Sequence, residues 1–188
     1  MSSAGRPAIA ATLEACFARL RSGADCDPYP SHEVRDRRLA ALEQILRDHA
    51  EDVLGAIASD FGHRSSHETR LYEIVPSLEA IRFARRHLKA WMAPEPRKTS
   101  RWFVTASASI HYEPLGVVGI VVPWNYPLYL AFAPLVAALA AGNRALLKLS
   151  ELVPRTAELM QRLFAEAFDE GVVAAVGGDA EIGQALAH

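Results

Sequence analysis

The sequence predicts an α/β fold built on a parallel sheet, and three observations carry that prediction. Residues 115–122 (LGVVGIVV) form a short apolar run, which is typical of a strand buried on both faces. Residues 128–141 are apolar almost all round and predict a buried helix, and residues 145–149 predict a second buried strand. Strand, helix and strand in this order predict a βαβ crossover between parallel strands.

The predicted helix has a start and a stop signal. Asn125 is expected to cap it, and Pro127 lies within its first turn. The pair Gly142-Asn143 is expected to end it.

The polar residues of this unit fall where its two strands are predicted to end. Trp124 and Asn125 follow the first strand, and Lys148 to Glu151 closes the second. Parallel strands end at one edge of a sheet, and ligands bind beyond that edge. The sequence therefore predicts one ligand-binding edge that these residues share.

Residues 1–98 predict a helical layer. Residues 1–7 are expected to be a disordered lead-in, followed by a helix over 9–20 and a loop over 22–30. A single long helix then begins at the capping residue Ser31 and ends at Gly62.

The last helix of this layer begins at a capping box, in which Ser65 is followed three residues later by Glu68. Pro76 is expected to kink or divide the helix. Its predicted inward-facing positions are Leu71, Ile74, Leu78, Ile81, Leu88 and Trp91.

A β arm is predicted over residues 99–113, because residues 102–112 alternate with period two. Two interpretations stay open: an arm that pairs with another segment or subunit, and an ordinary edge hairpin. Residues 114–188 form the predicted dinucleotide-binding region, which is incomplete. It adds a helix over 154–168, a third short strand over 172–176 and a turn at Gly177-Gly178.

Composition excludes several classes of function. The chain is 51% hydrophobic and 22% charged, an ordinary globular balance that allows one large domain or two small ones. A net charge of -2 predicts neither a nucleic-acid partner nor a polybasic membrane patch. The start of the chain does not predict a secretory signal, so Cys16 and Cys26 are expected to be reduced, in a cytoplasmic protein.

Three motifs at this spacing resemble the NAD(P)-dependent aldehyde dehydrogenases: Pro-Trp-Asn-Tyr-Pro at 123–127, Ala-Ala-Gly-Asn at 140–143 and Lys-Leu-Ser-Glu at 148–151. The segment at 59–65 (SDFGHRS), with Glu68-Thr69 and Trp91-Met92, is most similar to the coniferyl aldehyde dehydrogenase branch. Each motif alone is weak, and together they are specific. The resemblance implies an incomplete cofactor-binding domain of the Rossmann type, behind a helical layer and a β arm.

The resemblance implies one catalytic residue in this chain. In the family, a cysteine thiolate attacks the aldehyde, and hydride passes to the nicotinamide. Asn125 would donate a side-chain N–H to the oxyanion that forms. The alternative is that Asn125 only caps the helix, and the two roles are compatible.

The resemblance also implies cofactor contacts. Lys148 and Glu151 would bind the hydroxyls of the adenosine ribose, and NAD is predicted over NADP because a carboxylate repels a 2′-phosphate. A snorkelling lysine and a helix first-turn acid are the alternatives. Val122, Pro123 and Trp124 resemble the backbone and wall that line the cofactor, although simple packing competes for Trp124.

Other parts of the family pattern are missing. The catalytic cysteine and the general-base glutamate have no counterpart here, and neither Cys16 nor Cys26 lies in the family's cysteine context. The expectation is the amino-terminal portion of an aldehyde-oxidising enzyme, inactive alone, whose full-length form is a homo-oligomer acting on an aromatic aldehyde such as coniferyl aldehyde. The alternative is a non-catalytic fragment or interaction module that binds full-length relatives. His63 and His67 are expected to be surface histidines, and no metal site is predicted.

Overall fold

The computed structural model describes the backbone of residues 6–187 and the side chains of residues 13–187. Of the lead-in predicted over 1–7, residues 1–5 lie outside the described part, and Arg6 already belongs to a helix. The elements in chain order are α1 (Arg6–Cys26), α2 (His32–Asp48), α3 (Ala50–Phe61), α4 (Ser66–Thr69), a π-helical turn (Arg70–Ile74), α5 (Val75–Trp91), β1 (Glu95–Arg97), a 3-10 turn (Arg101–Phe103), β2 (Ala108–Ile110), β3 (Val117–Val121), α6 (Pro127–Ala140), β4 (Arg144–Ser150), α7 (Pro154–Ala167), β5 (Val173–Gly178) and α8 (Ala180–Ala187).

The predicted βαβ unit is confirmed. Strands β3, β4 and β5 form a parallel three-stranded sheet with β4 in the middle. Val121 pairs with Lys148, and Ser150 pairs with Gly178, so all three strands end at the same edge. The fold is α/β, as the sequence predicts.

The strands differ in burial from the prediction. All seven residues of β4 are buried, as expected. In β3 only Ile120 is buried, and Val121 is 59% exposed, so the prediction of a strand buried on both faces is wrong for β3. The reason is position, because β3 lies at an edge of the sheet, where fewer neighbours cover it.

Helices cover both faces of the sheet. Alternate β4 residues such as Leu147 pack into a large core with α2, α3, α5, α6 and α7. Leu146 points the other way and packs against α1 and α8, together with Leu20, Val176 and Ile182. Strand periodicity therefore divides β4 between two cores, and Lys148 shares the face of Leu146.

Two helices of the layer depart from the predicted bounds. Helix α1 continues into the first part of the predicted loop and ends at Cys26. In this last turn the Gly23 carbonyl accepts a hydrogen bond from Arg144 Nη2 at 2.8 Å. The single long helix is two helices, which meet at His49 with φ −110° and ψ 21°. The His49 ring lies 2.8 Å from an Asp52 carboxylate oxygen, a local contact that competes with regular helix.

The predicted disruption near Pro76 takes the form of a π-helical turn. The Val75 N–H reaches back five residues to the Arg70 carbonyl, and Pro76 then lies in the first turn of α5. The wider turn changes which side chains point inward. Leu71 is 59% exposed and Glu73 is fully buried, so the predicted inward position of Leu71 is wrong. The predicted inward position of Trp91 is wrong too, because Trp91 lies at the end of α5 and is 47% exposed.

The strand predicted from the alternation over 102–112 is shorter than expected. Strand β2 covers only residues Ala108–Ile110 and pairs antiparallel with β1, which begins at Glu95. Trp102 lies in the 3-10 turn rather than in a strand, where it is 78% exposed. Alternation alone cannot fix a strand that has few neighbours to pack against. The two strands form a sheet separate from the main one.

The glycine pair at the end of the third strand is also not a turn. Gly177 and Gly178 are the last residues of β5 and pair with Leu149 and Ser150. A Cβ at Gly178 would come within 2.7 Å of the Ile182 side chain. The absence of a side chain at Gly178 therefore allows α8 to pack close to β5.

An ion-pair network joins α2 to α5. Arg85 binds Asp36 at 2.8 Å and Glu43 at 3.1 Å, and Glu43 also accepts hydrogen bonds from Arg47 and Arg82. Burial alone would raise the pKa of the Glu43 carboxyl. The three arginine hydrogen bonds outweigh that effect and bring the pKa down to about 2.

We expect Glu43→Gln to lower the free energy of unfolding by about 1–2 kcal/mol near neutral pH, after solvent screening of the exposed arginines. A depressed carboxyl pKa stabilises the fold above the ordinary value of 4.5, and this stabilisation is lost as the pH falls towards 2. Urea unfolding at several pH values should therefore show the variant and the wild type converging below pH 4.5. Glu79→Gln, on the exposed side of α5, is the control. An equal loss of unfolding free energy in both variants would show that the ion pairs of Glu43 do not stabilise the fold.

Among the described residues, no helix combines the length and the apolar character that a membrane crossing requires.

Candidate functional site

The carboxyl edge of the sheet gathers the predicted site residues. The segment 122–126 follows β3, and the segment 151–153 follows β4. The Val122 N–H donates to the Lys148 carbonyl at 2.9 Å, which extends the pairing to the mouth of the sheet. Asn125 and the pair Lys148 and Glu151 therefore lie on one edge.

Lys148 and Glu151 form an ion pair at this edge. Lys148 Nζ donates to Glu151 Oε2 at 2.9 Å, and the lysine side chain is only 7% exposed, against 43% for the glutamate. The pKa of the Glu151 carboxyl is lowered, first by a hydrogen bond from its own backbone N–H and then by Lys148. The glutamate is therefore an ionised acceptor with a free face towards solvent.

Helix α6 is capped differently from the prediction. Its cap position is Tyr126, and neither Tyr126 nor Asn125 caps it with a side chain within the described part of the chain. Glu73 Oε2 instead accepts the N–H groups of Leu128 and Tyr129, at 2.8 and 3.3 Å. The expectation that Asn125 caps the helix is therefore wrong, because a remote carboxylate already binds the helix start.

Glu73 is fully buried, and its pKa reflects that position. Burial raises the pKa of the carboxyl, while the N–H of Tyr129, the charge of Arg64 and the N–H of Leu128 oppose the rise. Arg64 Nη1 lies 3.2 Å from Glu73 Oε1 and supplies the counter-charge.

Arg64 connects this pair to Asn125. Its Nη1 donates to the Asn125 backbone carbonyl at 2.8 Å. Its guanidinium lies between two rings, 4.9 Å from the Phe61 centroid and 4.5 Å from that of Tyr126. The Arg64 side chain is only 6% exposed, so a buried guanidinium holds the backbone of the exposed Asn125.

The loop itself presents Asn125 outward. Pro123, Trp124 and Asn125 are exposed, whereas the Val122 side chain is buried in the main core. The Trp124 ring is half exposed and stacks on Phe61, with centroids 6.2 Å apart. Simple core packing therefore does not explain Trp124, and Val122 has only its backbone to offer a ligand.

A small open cavity lies beside this loop. It has a volume of about 290 Å³ and is lined by Phe61, His63, Arg64, Glu68, Asn125 and Tyr126. Most of these residues come from the segment 59–68, so that segment and the 123–127 motif meet in space.

Helix α7 is capped in the same way as α6. Asp60 accepts the N–H groups of Arg155 and Thr156 at 3.1 and 2.8 Å, and the Thr156 hydroxyl at 2.7 Å. Helices α6 and α7 thus have their first N–H groups bound by carboxylates of the helical layer. Those helix starts do not offer N–H groups to a phosphate.

Sequence reasoning missed Arg64, Glu73 and Asp60. Arg64 and Asp60 lie inside the segment 59–65 that carries the resemblance, and that segment was the available signal. Glu73 carries no local signal, because a regular helix would not turn it inward.

The geometry agrees with comparisons to known proteins. The Aldehyde dehydrogenase family model matches residues 28–188. A probable coniferyl aldehyde dehydrogenase of Pseudomonas aeruginosa is 45% identical over 174 residues, which cover 93% of this chain and 37% of that protein. A coniferyl aldehyde dehydrogenase of a Pseudomonas species is 41% identical over 180 residues, which cover 95% of this chain and 37% of that protein.

Solved structures give the same result. AldH of Staphylococcus aureus in a substrate-bound state superposes with a TM-score of 0.89 at 31% identity, covering 93% of this chain and 38% of that one. A Mycobacterium tuberculosis aldehyde dehydrogenase complexed with NAD+ superposes with a TM-score of 0.81 at 31% identity, covering 94% of this chain and 36% of that one. The chain spans little more than a third of the length of its curated relatives. With a family model matched over 28–188 and these relatives, the chain belongs to the aldehyde dehydrogenase family.

Proposed function

We propose that this chain is a cofactor-binding part of an NAD(P)-dependent aldehyde dehydrogenase that oxidises an aldehyde to the carboxylic acid. One observation carries the proposal: an exposed asparagine amide and a lysine–glutamate pair lie at one edge of a parallel sheet, in a chain of this family. The names of the Pseudomonas relatives support an aromatic substrate such as coniferyl aldehyde. The full-length enzyme is expected to be a homo-oligomer.

Asn125 is proposed to stabilise the oxyanion. Its backbone carbonyl is held by Arg64, and its side chain is exposed, without a hydrogen bond to any part of the chain that the structure describes. A side-chain amide offers two N–H donors, and a fixed donor requires little rearrangement when negative charge develops. Nucleophilic attack requires a cysteine thiolate at the same edge.

Neither cysteine of this chain suits that attack. Cys16 is buried between α1 and the sheet. Cys26 is exposed at the end of α1, near Gly23, which Arg144 binds at the start of β4. Cys26 is therefore at the edge of the sheet opposite to Asn125.

Lys148 and Glu151 are proposed to bind the adenosine ribose of NAD. When bound, NAD supplies the hydride acceptor. The ionised Glu151 can accept from both ribose hydroxyls, and Lys148 fixes its orientation through the 2.9 Å contact. A 2′-phosphate would meet the negative charge of Glu151, which favours NAD over NADP. The NAD+ complex of the Mycobacterium tuberculosis relative supports a nicotinamide cofactor.

Calorimetric titration of the 188-residue chain tests the cofactor proposal. Lys148→Met should weaken NAD binding at least about tenfold, because a charged hydrogen bond is worth about 1.5–3 kcal/mol. Glu151→Gln should reduce the difference in affinity between NAD and NADP, because it removes the negative charge that a 2′-phosphate would meet. Lys89→Met, on an exposed position of α5, is the matched control. Equal affinity of the wild type for both cofactors would contradict the predicted preference.

The purified chain should give no aldehyde-dependent NADH. Both of its cysteines are placed away from Asn125, as described above, so no thiolate can attack a substrate at that edge. The measurement is NADH absorbance with coniferyl aldehyde and NAD, with a full-length relative as the positive control. Turnover that survives Cys16→Ser and Cys26→Ser would show that the chemistry follows a different route.

A further inference from the structure

We propose that Arg64 and Glu73 are positioning residues that fix the Asn125 side chain at the ligand edge. The buried Glu73 holds the start of α6, and Arg64 holds the Asn125 carbonyl just before it. The inference rests on the proposed role of Asn125, and it assigns a function to two residues outside the 123–127 motif.

Glu73 defines where α6 begins. Its Oε2 accepts two consecutive backbone N–H groups of the first turn, those of Leu128 and Tyr129. A carboxylate at a helix start is favoured by both the hydrogen bonds and the helix dipole. Because Glu73 is fully buried on the π-helical turn, its position depends on that turn and not on a mobile surface side chain.

Arg64 transmits this position to the loop. One nitrogen, Nη1, lies 3.2 Å from Glu73 Oε1 and donates to the Asn125 carbonyl at 2.8 Å. The rings of Phe61 and Tyr126 lie within 4.9 and 4.5 Å of the guanidinium and restrict its motion. Asn125 is thus held through its backbone, which leaves its side-chain amide available for a ligand.

A matched comparison exists within the same chain. Asp60 caps α7 with the same kind of carboxylate contact that Glu73 makes with α6, but no contact joins Asp60 to Asn125 among the described residues. A merely stabilising cap and a positioning cap can therefore be told apart. Only the loss of the positioning cap, Glu73, should change the surroundings of the Asn125 side-chain amide.

The test is nuclear magnetic resonance on the 188-residue chain, with the Asn125 side-chain amide signals assigned by their loss in Asn125→Ala. Glu73→Gln and Arg64→Lys should each shift or broaden those signals. Hydrogen exchange at Leu128 and Tyr129 should rise about tenfold in Glu73→Gln. Asp60→Asn should raise exchange at Arg155 and Thr156, with the Asn125 signals unchanged.

Each outcome decides the proposal. Unchanged Asn125 signals in both Glu73→Gln and Arg64→Lys would overturn it, as would an equal change in Asp60→Asn. If one of the two variants does not fold, the other decides alone, and loss of folding in both would assign the pair to stability and reject the positioning role. The readout needs no cofactor, so failure of NAD to bind would remove the proposed function without touching this result.

Discussion

Glu73→Ala is expected to lower the free energy of unfolding by about 3–5 kcal/mol, the range for breaking a buried ion pair by removing one partner. The substitution removes the buried counter-ion of Arg64 and leaves only the exposed carboxylate of Glu68 near the guanidinium. It also releases the N–H groups of Leu128 and Tyr129 at the start of α6. Urea unfolding followed by circular dichroism measures the change.

Glu68→Ala is the control for this prediction. Glu68 also lies near Arg64, at 3.7 Å, but its side chain is 43% exposed. An exposed pair of this kind contributes up to about 1 kcal/mol. A loss in Glu68→Ala as large as that in Glu73→Ala would mean that burial does not set the strength of the Arg64 contacts.

Phe132→Ala is expected to destabilise the chain by about 3–5 kcal/mol, the usual range for a phenylalanine removed from a core. Phe132 lies on α6, is 2% exposed and packs against Phe164 of α7 with ring centroids 5.8 Å apart. Its removal would leave a cavity where the side chains of α6 and α7 meet in the large core on one face of the sheet. The measurement is again urea unfolding, in which the midpoint concentration and the dependence of the free energy on urea are each compared with those of the wild type.

The matched control is Phe17→Ala. Phe17 lies on α1 and is 47% exposed, so its truncation removes much less buried surface than that of Phe132 and is expected to lower stability by about 1 kcal/mol. Similar losses in the two variants would indicate that the core around α6 is less tightly packed than the burial of Phe132 implies.

The central unit could be predicted from sequence because its signals are local. The apolar runs of β3, α6 and β4 have the lengths and periods of strand, helix and strand. The stop at Gly142 has a local cause, since its φ of 90° suits glycine. Parallel pairing then places the ends of β3 and β4 at one edge, which brings Asn125 to the same edge as Lys148 and Glu151.

Contacts between distant segments decide the features that local sequence patterns predict wrongly. Asn125 has the residue type of a helix cap, but Glu73, more than fifty positions away, binds the N–H groups that it would have capped. Gly177 and Gly178 have the composition of a turn, but pairing with β4 keeps them in a strand. Tertiary partners prevail over local propensity in both cases.

By itself the sequence determined the α/β class, the parallel βαβ unit and the family, because periodicity and motif spacing are properties of consecutive residues. Only the tertiary structure decided how the edge is held. A π-helical turn rotates Glu73 into the core, and the Arg64 guanidinium fits between two rings to reach Asn125. These contacts join residues far apart in the chain, and the burial that makes them strong exists only once the layers have packed.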